Sequence, residues 1–155
     1  MTTQLPETTD IAIVGGGLVG SSLACALESS GYRIVLVEAA PVPAATAGFD
    51  QRKLALAAHS LDSLRQLGIL GLLATAPTAI ARIHISRVGD FGRVLLKASD
   101  YGHDAFGAVV LAQELGKALA ERVDALRHTT RICPATVVGV SSDAGGAVLK
   151  LKGSG

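Results

Sequence analysis

A glycine cluster directly after a short apolar run constrains the fold of this chain more than any other feature. Ile11–Val14 has the apolar, β-branched composition of a buried parallel strand. Gly15, Gly17 and Gly20 follow it in the spacing Gly-x-Gly-x-x-Gly. In that spacing the first glycine permits a tight turn, the second lets a phosphate approach the backbone, and the third allows close packing of helix on strand. The pattern therefore predicts a strand–helix–strand unit whose helix N-terminus binds phosphate.

The elements that complete this unit are also visible in the sequence. A helix is predicted to follow the glycines and to end near Gly31, and residues 33–37 form a second apolar run that ends at Glu38. This acid lies 23 residues after Gly15, where it can accept hydrogen bonds from the two hydroxyls of an adenosine ribose. Because a carboxylate repels a 2′-phosphate, the pattern favours FAD or NAD over NADP.

The rest of the chain is predicted from periodicity and turn residues. Residues 39–50 are expected to form a surface loop, because they contain prolines and glycine. Asp90–Gly92 is interpreted as a turn rather than as the metal-binding triplet of a kinase. The other expected elements are a helix from Gln51 to Leu67 ended by Gly68, a helical turn before Pro77, a hairpin of residues 82–86 and 94–96, a helix from Val110 to Leu126, and a hairpin of residues 137–140 and 148–151.

Composition and charge exclude several classes of function. The 155 residues suffice for one hydrophobic core, and a net charge of +1 without a basic block argues against a nucleic-acid partner. Cys25 and Cys133 match no disulfide or zinc spacing, and the four histidines share no ligand spacing, so no metal site is predicted. No nucleophile motif is present, so no catalytic residue is assigned. The charge-free residues 11–27 are too few for a membrane span, and no secretory leader precedes them, which favours the cytoplasm.

Two longer segments carry a resemblance to a known family. Asp10–Ala24 contains the glycine pattern, and Gly48–Ala58 contains the element Gly-Phe-Asp-x-Arg. Together with Gly107–Val110 and Cys133–Val137, they resemble the flavoprotein aromatic hydroxylases, and within them the 2-polyprenyl-6-methoxyphenol hydroxylase group of ubiquinone biosynthesis. The resemblance covers nearly the whole chain. It implies an α/β fold, with a Rossmann-like FAD-binding domain of the glutathione-reductase type and part of an interleaved substrate sheet.

The resemblance also implies how much of that domain is present. Residues 1–155 correspond to its N-terminal portion, and residues 80–100 to a hairpin of the substrate sheet. The chain stops directly after a strand, before the family's second Gly-Asp segment, so we expect a truncated domain that is inactive alone.

Individual binding roles follow from the same resemblance. Glu38 binds the adenosine ribose, and Arg52 contacts the flavin side of the cofactor. Gln113 stands near the position where many relatives place an arginine close to the ribityl chain, and a neutral amide there still hydrogen-bonds. The backbone of Val137 corresponds to a position that meets adenine, although a core valine is an equally good interpretation. The pyrophosphate is held by the glycine loop and the helix start, namely Gly15, Gly17, Leu18, Val19 and Gly20.

The implied reaction is hydroxylation of a polyprenylated methoxyphenol with FAD, NAD(P)H and O2. The prenyl tail of such a hydrophobic phenol implies a peripheral contact with the inner membrane or with a ubiquinone-biosynthesis complex. Two alternatives stay open. Another FAD-dependent oxidoreductase would share the glycine pattern and Glu38, and a non-enzymatic dinucleotide-binding module is favoured if 155 residues are the natural length.

Overall fold

The computed structural model describes residues 6–41, 52–89 and 91–153. The chain divides into two compact units, one made of residues 1–49 and 119–155 and the other of residues 50–118. Both ends of the chain therefore build the first unit. Most of the expected loop 39–50, residues 48–51 of the Gly-Phe-Asp-x-Arg segment and Asp90 of the expected turn lie outside the described residues.

Ten strands and three α-helices are formed by the described residues. In chain order they are β1 Ile11–Val14, α1 Leu18–Leu27, β2 Ile34–Val37, β3 Lys53–Ala57, α2 Ala58–Gln66, β4 Thr78–Ala79, β5 Arg82–Ile85, β6 Val94–Lys97, β7 Gly107–Leu111, α3 Ala112–Asp124, β8 Thr129–Ile132, β9 Ala135–Asp143 and β10 Gly146–Gly153.

The first unit contains a parallel sheet in the order β1-β2-β8 and the antiparallel hairpin β9–β10. Central strand β2 is buried at all four residues, because it has a neighbour on each side. The expectation of a buried β1 is only partly right. Ile13 is buried but Val14, whose side chain points to the other face of the sheet, is 59% exposed. The crossover from β1 to β2 through α1 confirms the predicted strand–helix–strand unit.

The second unit contains the antiparallel sheet β3-β7-β4 and the hairpin β5–β6. Leu64 of α2, Ile69 and Val110 of β7 contribute to its buried core. Strand β7 lies very close to β3, since a Cβ atom built at Gly107 would be 2.0 Å from the Leu56 carbonyl oxygen. Both predicted hairpins are confirmed, as is the helical turn, which is formed by Leu70–Leu72. The predicted helix terminators Gly31 and Gly68 are also confirmed, with φ angles of 77° and 76°.

Two of the predicted helices are partly wrong. The helix expected over Gln51–Leu67 begins at Ala58, and Lys53–Ala57 is strand β3. The exposure of the β3 side chains alternates with a period of two residues, as in a strand. Leucine and alanine also fit one face of a helix, so the sequence alone does not distinguish the two structures. The pairing of β3 with β7 overrides the helix propensity of these residues. The helix expected over Val110–Leu126 is α3, which begins two residues later, after strand β7, and ends at Asp124. Strands β4 and β8 were not predicted.

Candidate functional site

The predicted glycine loop connects β1 to α1, and its three glycines have different structural roles. Gly15 has a φ of +102°, which favours glycine, and its N–H donates to the Val37 carbonyl oxygen at 2.8 Å. A Cβ atom built at Gly20 would lie 1.9 Å from the Gly15 carbonyl oxygen, so no side chain fits there. A Cβ atom built at Gly17 meets nothing within 4 Å. Gly20 is therefore required for packing, whereas Gly17 leaves open the approach to the backbone.

The start of α1 offers N–H groups without partners in the helix. Gly17 is the N-cap residue and makes no side-chain capping bond, and the first bond of the helix runs from the Ser21 N–H to the Gly17 carbonyl oxygen at 3.0 Å. The N–H groups of Leu18, Val19 and Gly20 precede this bond, so none has an acceptor within the helix. Donors at the positive end of the helix dipole form a site for an anion such as a pyrophosphate.

Glu38 lies at the carboxyl end of β2, next to this loop. Its half-buried carboxylate accepts the Gly16 N–H on Oε2 at 2.6 Å and the Ala40 N–H on Oε1 at 2.7 Å. The Glu38 backbone is bonded to Ile132 and Ala135, at 2.9 and 2.8 Å. A carboxylate has about four acceptor positions, so two remain for ribose hydroxyls. The acid is thus fixed beside the phosphate loop with acceptor capacity left over.

Three residues support this arrangement although none of them was assigned a role in it from the sequence. A Cβ atom built at Gly16 would lie 3.0 Å from the Glu38 Cβ, so the middle glycine of the run lets the acid come close. The buried Ser21 hydroxyl donates to the Gly16 carbonyl oxygen at 2.8 Å, and the Cys133 thiol donates to the Ala40 carbonyl oxygen at 3.1 Å. The glycine at position 16, between the two that the fingerprint requires, was the one visible signal of this support.

Val137 has a packing role in the structure. Its half-buried side chain packs against a cluster formed by Val35, Val37 and Ala135. Its backbone is paired with Leu151, at the irregularity in the β9–β10 ladder. The core interpretation is therefore correct for the side chain, and the backbone contact with adenine stays a prediction.

Arg52 and Gln113 belong to two segments of the second unit that are joined by a backbone hydrogen bond. The Ala112 N–H donates to the Arg52 carbonyl oxygen at 2.9 Å, which joins the residue before β3 to the start of α3. The expected position of Arg52 at a helix start is wrong, because β3 follows it. Arg52 is exposed and Gln113 is half-buried. Their 61-residue separation in sequence is closed by the β3–β7 pairing, and their contacts with flavin stay predictions.

An ion pair lies at the opposite end of the parallel sheet. Asp10 accepts the backbone N–H of Arg33 at 2.8 Å and two guanidinium N–H groups at 3.1 and 2.8 Å. The side-chain hydrogen bond from Arg33 is the main reason that the pKa of Asp10 falls from 3.8 to about 2. These residues precede β1 and β2, so the pair joins the strand starts and is remote from Glu38.

Cys25 on α1 is buried and takes no part in the loop. Desolvation by this burial raises the pKa of its thiol. No group of three His, Cys, Asp or Glu residues that could hold a metal ion is found within residues 6–41, 52–89 and 91–153. In the same part of the chain, no helix combines the length and apolar character that crossing a bilayer requires.

Comparison with known proteins gives a family for this arrangement. The profile of the family described as FAD dependent oxidoreductase matches residues 10–149. The chain belongs to this family. The α/β fold that the resemblance implied is thereby confirmed, and FAD is the cofactor by which the family is defined. An FAD-dependent oxidoreductase needs a pyrophosphate site and a ribose acceptor, and the open backbone at Gly17 and the remaining acceptor positions of Glu38 fit both.

Individual relatives of this FAD-dependent oxidoreductase chain are hydroxylases. It is 32% identical over 149 residues to the ubiquinone hydroxylase UbiL of Rhodospirillum rubrum, with 94% of this chain and 34% of that protein covered. It is 28% identical to the 3-demethoxyubiquinol 3-hydroxylase of Escherichia coli, with 95% and 38% covered. The fold matches the anhydrotetracycline hydroxylase OxyS of Streptomyces rimosus, with a TM-score of 0.71, 22% identity, and 94% and 28% covered. The chain thus spans about a third of the length of these relatives.

Proposed function

We propose that this chain is the N-terminal, nucleotide-binding portion of an FAD-dependent monooxygenase that hydroxylates a polyprenylated methoxyphenol in ubiquinone biosynthesis. The observation that carries the proposal is the pairing of an open helix N-terminus at Gly17 with Glu38, whose carboxylate is bonded to the Gly16 N–H at 2.6 Å. The names of the two relatives, a ubiquinone hydroxylase and a 3-demethoxyubiquinol 3-hydroxylase, support the substrate class.

In this proposal, the residues of the chain bind and orient the cofactor. The N–H groups at the start of α1 hold the pyrophosphate, and Glu38 accepts the ribose hydroxyls while its bond to Gly16 keeps the loop in place. Arg52 and Gln113, whose segments are joined by the bond from the Ala112 N–H to the Arg52 carbonyl oxygen, supply a guanidinium and an amide for the flavin side. FAD supplies the redox chemistry when bound, with NAD(P)H and O2 as co-substrates.

The proposal extends to organisation and location. Residues 1–155 form the N-terminal portion of the FAD-binding monooxygenase domain, and the hairpin within residues 80–100 is the first part of its substrate sheet. The full protein works in the cytoplasm, peripherally at the inner membrane or within a ubiquinone-biosynthesis complex, because its substrate carries a prenyl tail.

Calorimetric titration with ADP and FAD tests the nucleotide site. Glu38→Gln replaces one acceptor oxygen by an amide donor that faces an N–H group. Hydrogen bonds to charged groups contribute about 1.5–3 kcal/mol, so we expect ADP binding to weaken by about ten-fold or more. Glu28→Gln is the matched control, since the Glu28 Oε1 atom accepts the Arg127 N–H, at 2.8 Å, at the far end of α1. Equal ADP affinity in both variants would remove Glu38 from the site.

The activity is tested on the longer protein. We expect the 155-residue chain to bind ADP about as well as FAD and to purify largely colourless, because its ribose and phosphate contacts lie in residues 15–38. The full-length protein should bind FAD and consume NAD(P)H and O2 when a polyprenylated phenol is added. A full-length protein that binds FAD but hydroxylates no such phenol would point to another FAD-dependent oxidoreductase, which the family match equally supports.

A further inference from the structure

Ser21 is a buried polar residue whose hydroxyl bonds to the glycine loop and not to the helix that carries it. Among the residues that the structure describes, it is the only polar residue that is buried, with 5% of its surface exposed. A serine hydroxyl inside a helix often bonds to the carbonyl four residues earlier, as Ser22 does with Leu18 at 2.7 Å. The Ser21 hydroxyl instead donates to the Gly16 carbonyl oxygen, five residues earlier and outside α1, at 2.8 Å. This bond therefore constrains the loop.

The three peptide groups of the glycine loop are held in different ways. The first two are held through their N–H groups, since the Gly15 N–H donates to the last residue of β2 and the Gly16 N–H donates to Glu38, at 2.8 and 2.6 Å. The third peptide group, between Gly16 and Gly17, is held through its oxygen by Ser21. Its N–H group belongs to Gly17 and has no acceptor among the described residues. Of the three peptide groups, only this one leaves its N–H available to a ligand.

The planarity of the peptide bond makes the Ser21 contact set the direction of that N–H. In a planar trans peptide the C=O and N–H bonds point in opposite directions, and the Gly16–Gly17 peptide is trans. Because the Gly16 oxygen points toward the buried Ser21 hydroxyl, the Gly17 N–H points away from the packed side of the loop. Gly17 is exposed, and a Cβ atom built on it meets nothing within 4 Å, so the space around it is open.

We propose that Ser21 is a positioning residue of the nucleotide site, which fixes the Gly16–Gly17 peptide so that the Gly17 N–H donates to the pyrophosphate. The inference rests on the proposed function for the presence of a pyrophosphate at this loop. Neither glycine has a side chain that opposes rotation of the peptide, so the hydroxyl supplies the restraint that the glycines lack. Without it, binding itself must orient the peptide, and this ordering lowers the affinity.

NMR titration of the 15N-labelled chain with ADP and with adenosine tests the proposal. Ser21→Ala removes the donor with little change in volume, and we expect ADP to bind about ten-fold more weakly, near the lower limit for one hydrogen bond to a charged group. Adenosine has no phosphate, so its affinity should be unchanged. Ser22→Ala is the matched control, because it removes the neighbouring hydroxyl, whose bond lies within α1, and should alter neither affinity.

The ratio of the two affinities separates positioning from a general structural role. A disordered loop or a destabilised α1 would weaken ADP and adenosine together, because the Glu38 carboxylate is bonded to the same loop. Equal losses for the two ligands in Ser21→Ala would therefore overturn the proposal. Equal ADP affinities of Ser21→Ala and Ser22→Ala would overturn it as well.

Relaxation of the backbone 15N nuclei measures the restraint on Gly17 without any ligand. In the wild-type chain the order parameter of the Gly17 N–H should be close to about 0.85, the value of rigid backbone. Ser21→Ala should lower this order parameter, and Ser22→Ala should leave it unchanged. A Gly17 N–H that is as rigid in Ser21→Ala as in the wild type would contradict the proposed restraint.

A further variant and the wild-type titration complete the test. Ser21→Cys keeps a weaker donor of similar size, so its ADP affinity should lie between those of the wild type and Ser21→Ala. Another order would overturn the proposal, and Ser21→Cys also gives an answer if Ser21→Ala does not fold. A wild-type chain that binds neither ADP nor adenosine would contradict the proposed function and this inference with it. If the wild type binds ADP and Ser21→Ala binds it equally well, only this inference is wrong.

Discussion

Two alanine substitutions in the glycine loop should have opposite effects on stability and binding. Gly17→Ala places a Cβ atom where no other atom lies within 4 Å, and the φ of −70° at Gly17 suits an L-residue. Gly20→Ala places a Cβ atom 1.9 Å from the carbonyl oxygen of Gly15. The first change therefore fills the approach for a phosphate, and the second pushes α1 away from the loop.

The expected magnitudes follow from these distances. Loss of a preferred N-cap residue costs about 1 kcal/mol, so Gly17→Ala should lower the free energy of unfolding by no more than this. Blocking the pyrophosphate removes hydrogen bonds to a charged group, each of about 1.5–3 kcal/mol, and ADP binding should weaken by about ten-fold to a hundred-fold. Overpacking typically costs about 1–3 kcal/mol, and Gly20→Ala should reach at least the upper end, because a backbone oxygen cannot rotate away.

Urea unfolding followed by circular dichroism measures the free energy of unfolding, and calorimetric titration with ADP measures the binding affinity. Gly71→Ala is the control, because a Cβ atom there also meets nothing within 4 Å and Gly71 lies in the other unit. Gly71→Ala should change the free energy of unfolding by no more than about 0.5 kcal/mol and should leave the affinity for ADP unchanged. Normal ADP affinity in Gly17→Ala would refute the phosphate site, and normal stability in Gly20→Ala would refute the close approach of helix and loop.

Three further predictions concern the first unit. Because the pKa of Asp10 is lowered from 3.8 to about 2, its pair with Arg33 stabilises the fold above pH 3.8 and is lost as the pH falls to 2. Asp10→Asn should lower Tm at pH 6 by calorimetry but make little difference near pH 2. Ellman's reagent should modify the half-buried Cys133 before Cys25, which is buried and has a raised pKa, and equal rates would contradict that burial. Gly16→Ala should weaken ADP binding non-additively with Glu38→Gln in a double-mutant cycle, since the two residues are in contact, whereas additive losses would show independent roles.

The strand–helix–strand unit with the glycine loop could be predicted because each of its local sequence signals is compatible with only one structure. A strand that ends in Gly15-x-Gly17 must turn sharply, and an apolar run such as Ile34–Val37 is compatible with a strand buried on both sides. The acid after that run then lies at the carboxyl edge of the sheet. Glu38 was located correctly for this reason, and its pairing with the loop was set by the parallel register of β1 and β2.

Strands β3 and β7 could not be predicted because their residues satisfy two periodicities at once. Lys53–Ala57 alternates leucine with alanine and lysine, all of which favour helices when considered locally. Strand β7 runs directly into α3, so its valines extend the leucine repeat of that helix. What decides both is a contact between segments more than 50 residues apart, Lys53 with Leu111, which no local window contains.

The run of three glycines illustrates how one acid constrains the residues around it. The fingerprint explains Gly15 and Gly17 through the turn and the phosphate, and leaves the residue between them free. In the structure that residue is not free, because Glu38 reaches back to the Gly16 N–H and would have its own Cβ atom 3.0 Å from any Cβ atom there. If the same carboxylate accepts the ribose hydroxyls as proposed, the acid connects the phosphate and ribose halves of the proposed site. Its observed bond to the Gly16 N–H already requires a small residue at the centre of the loop.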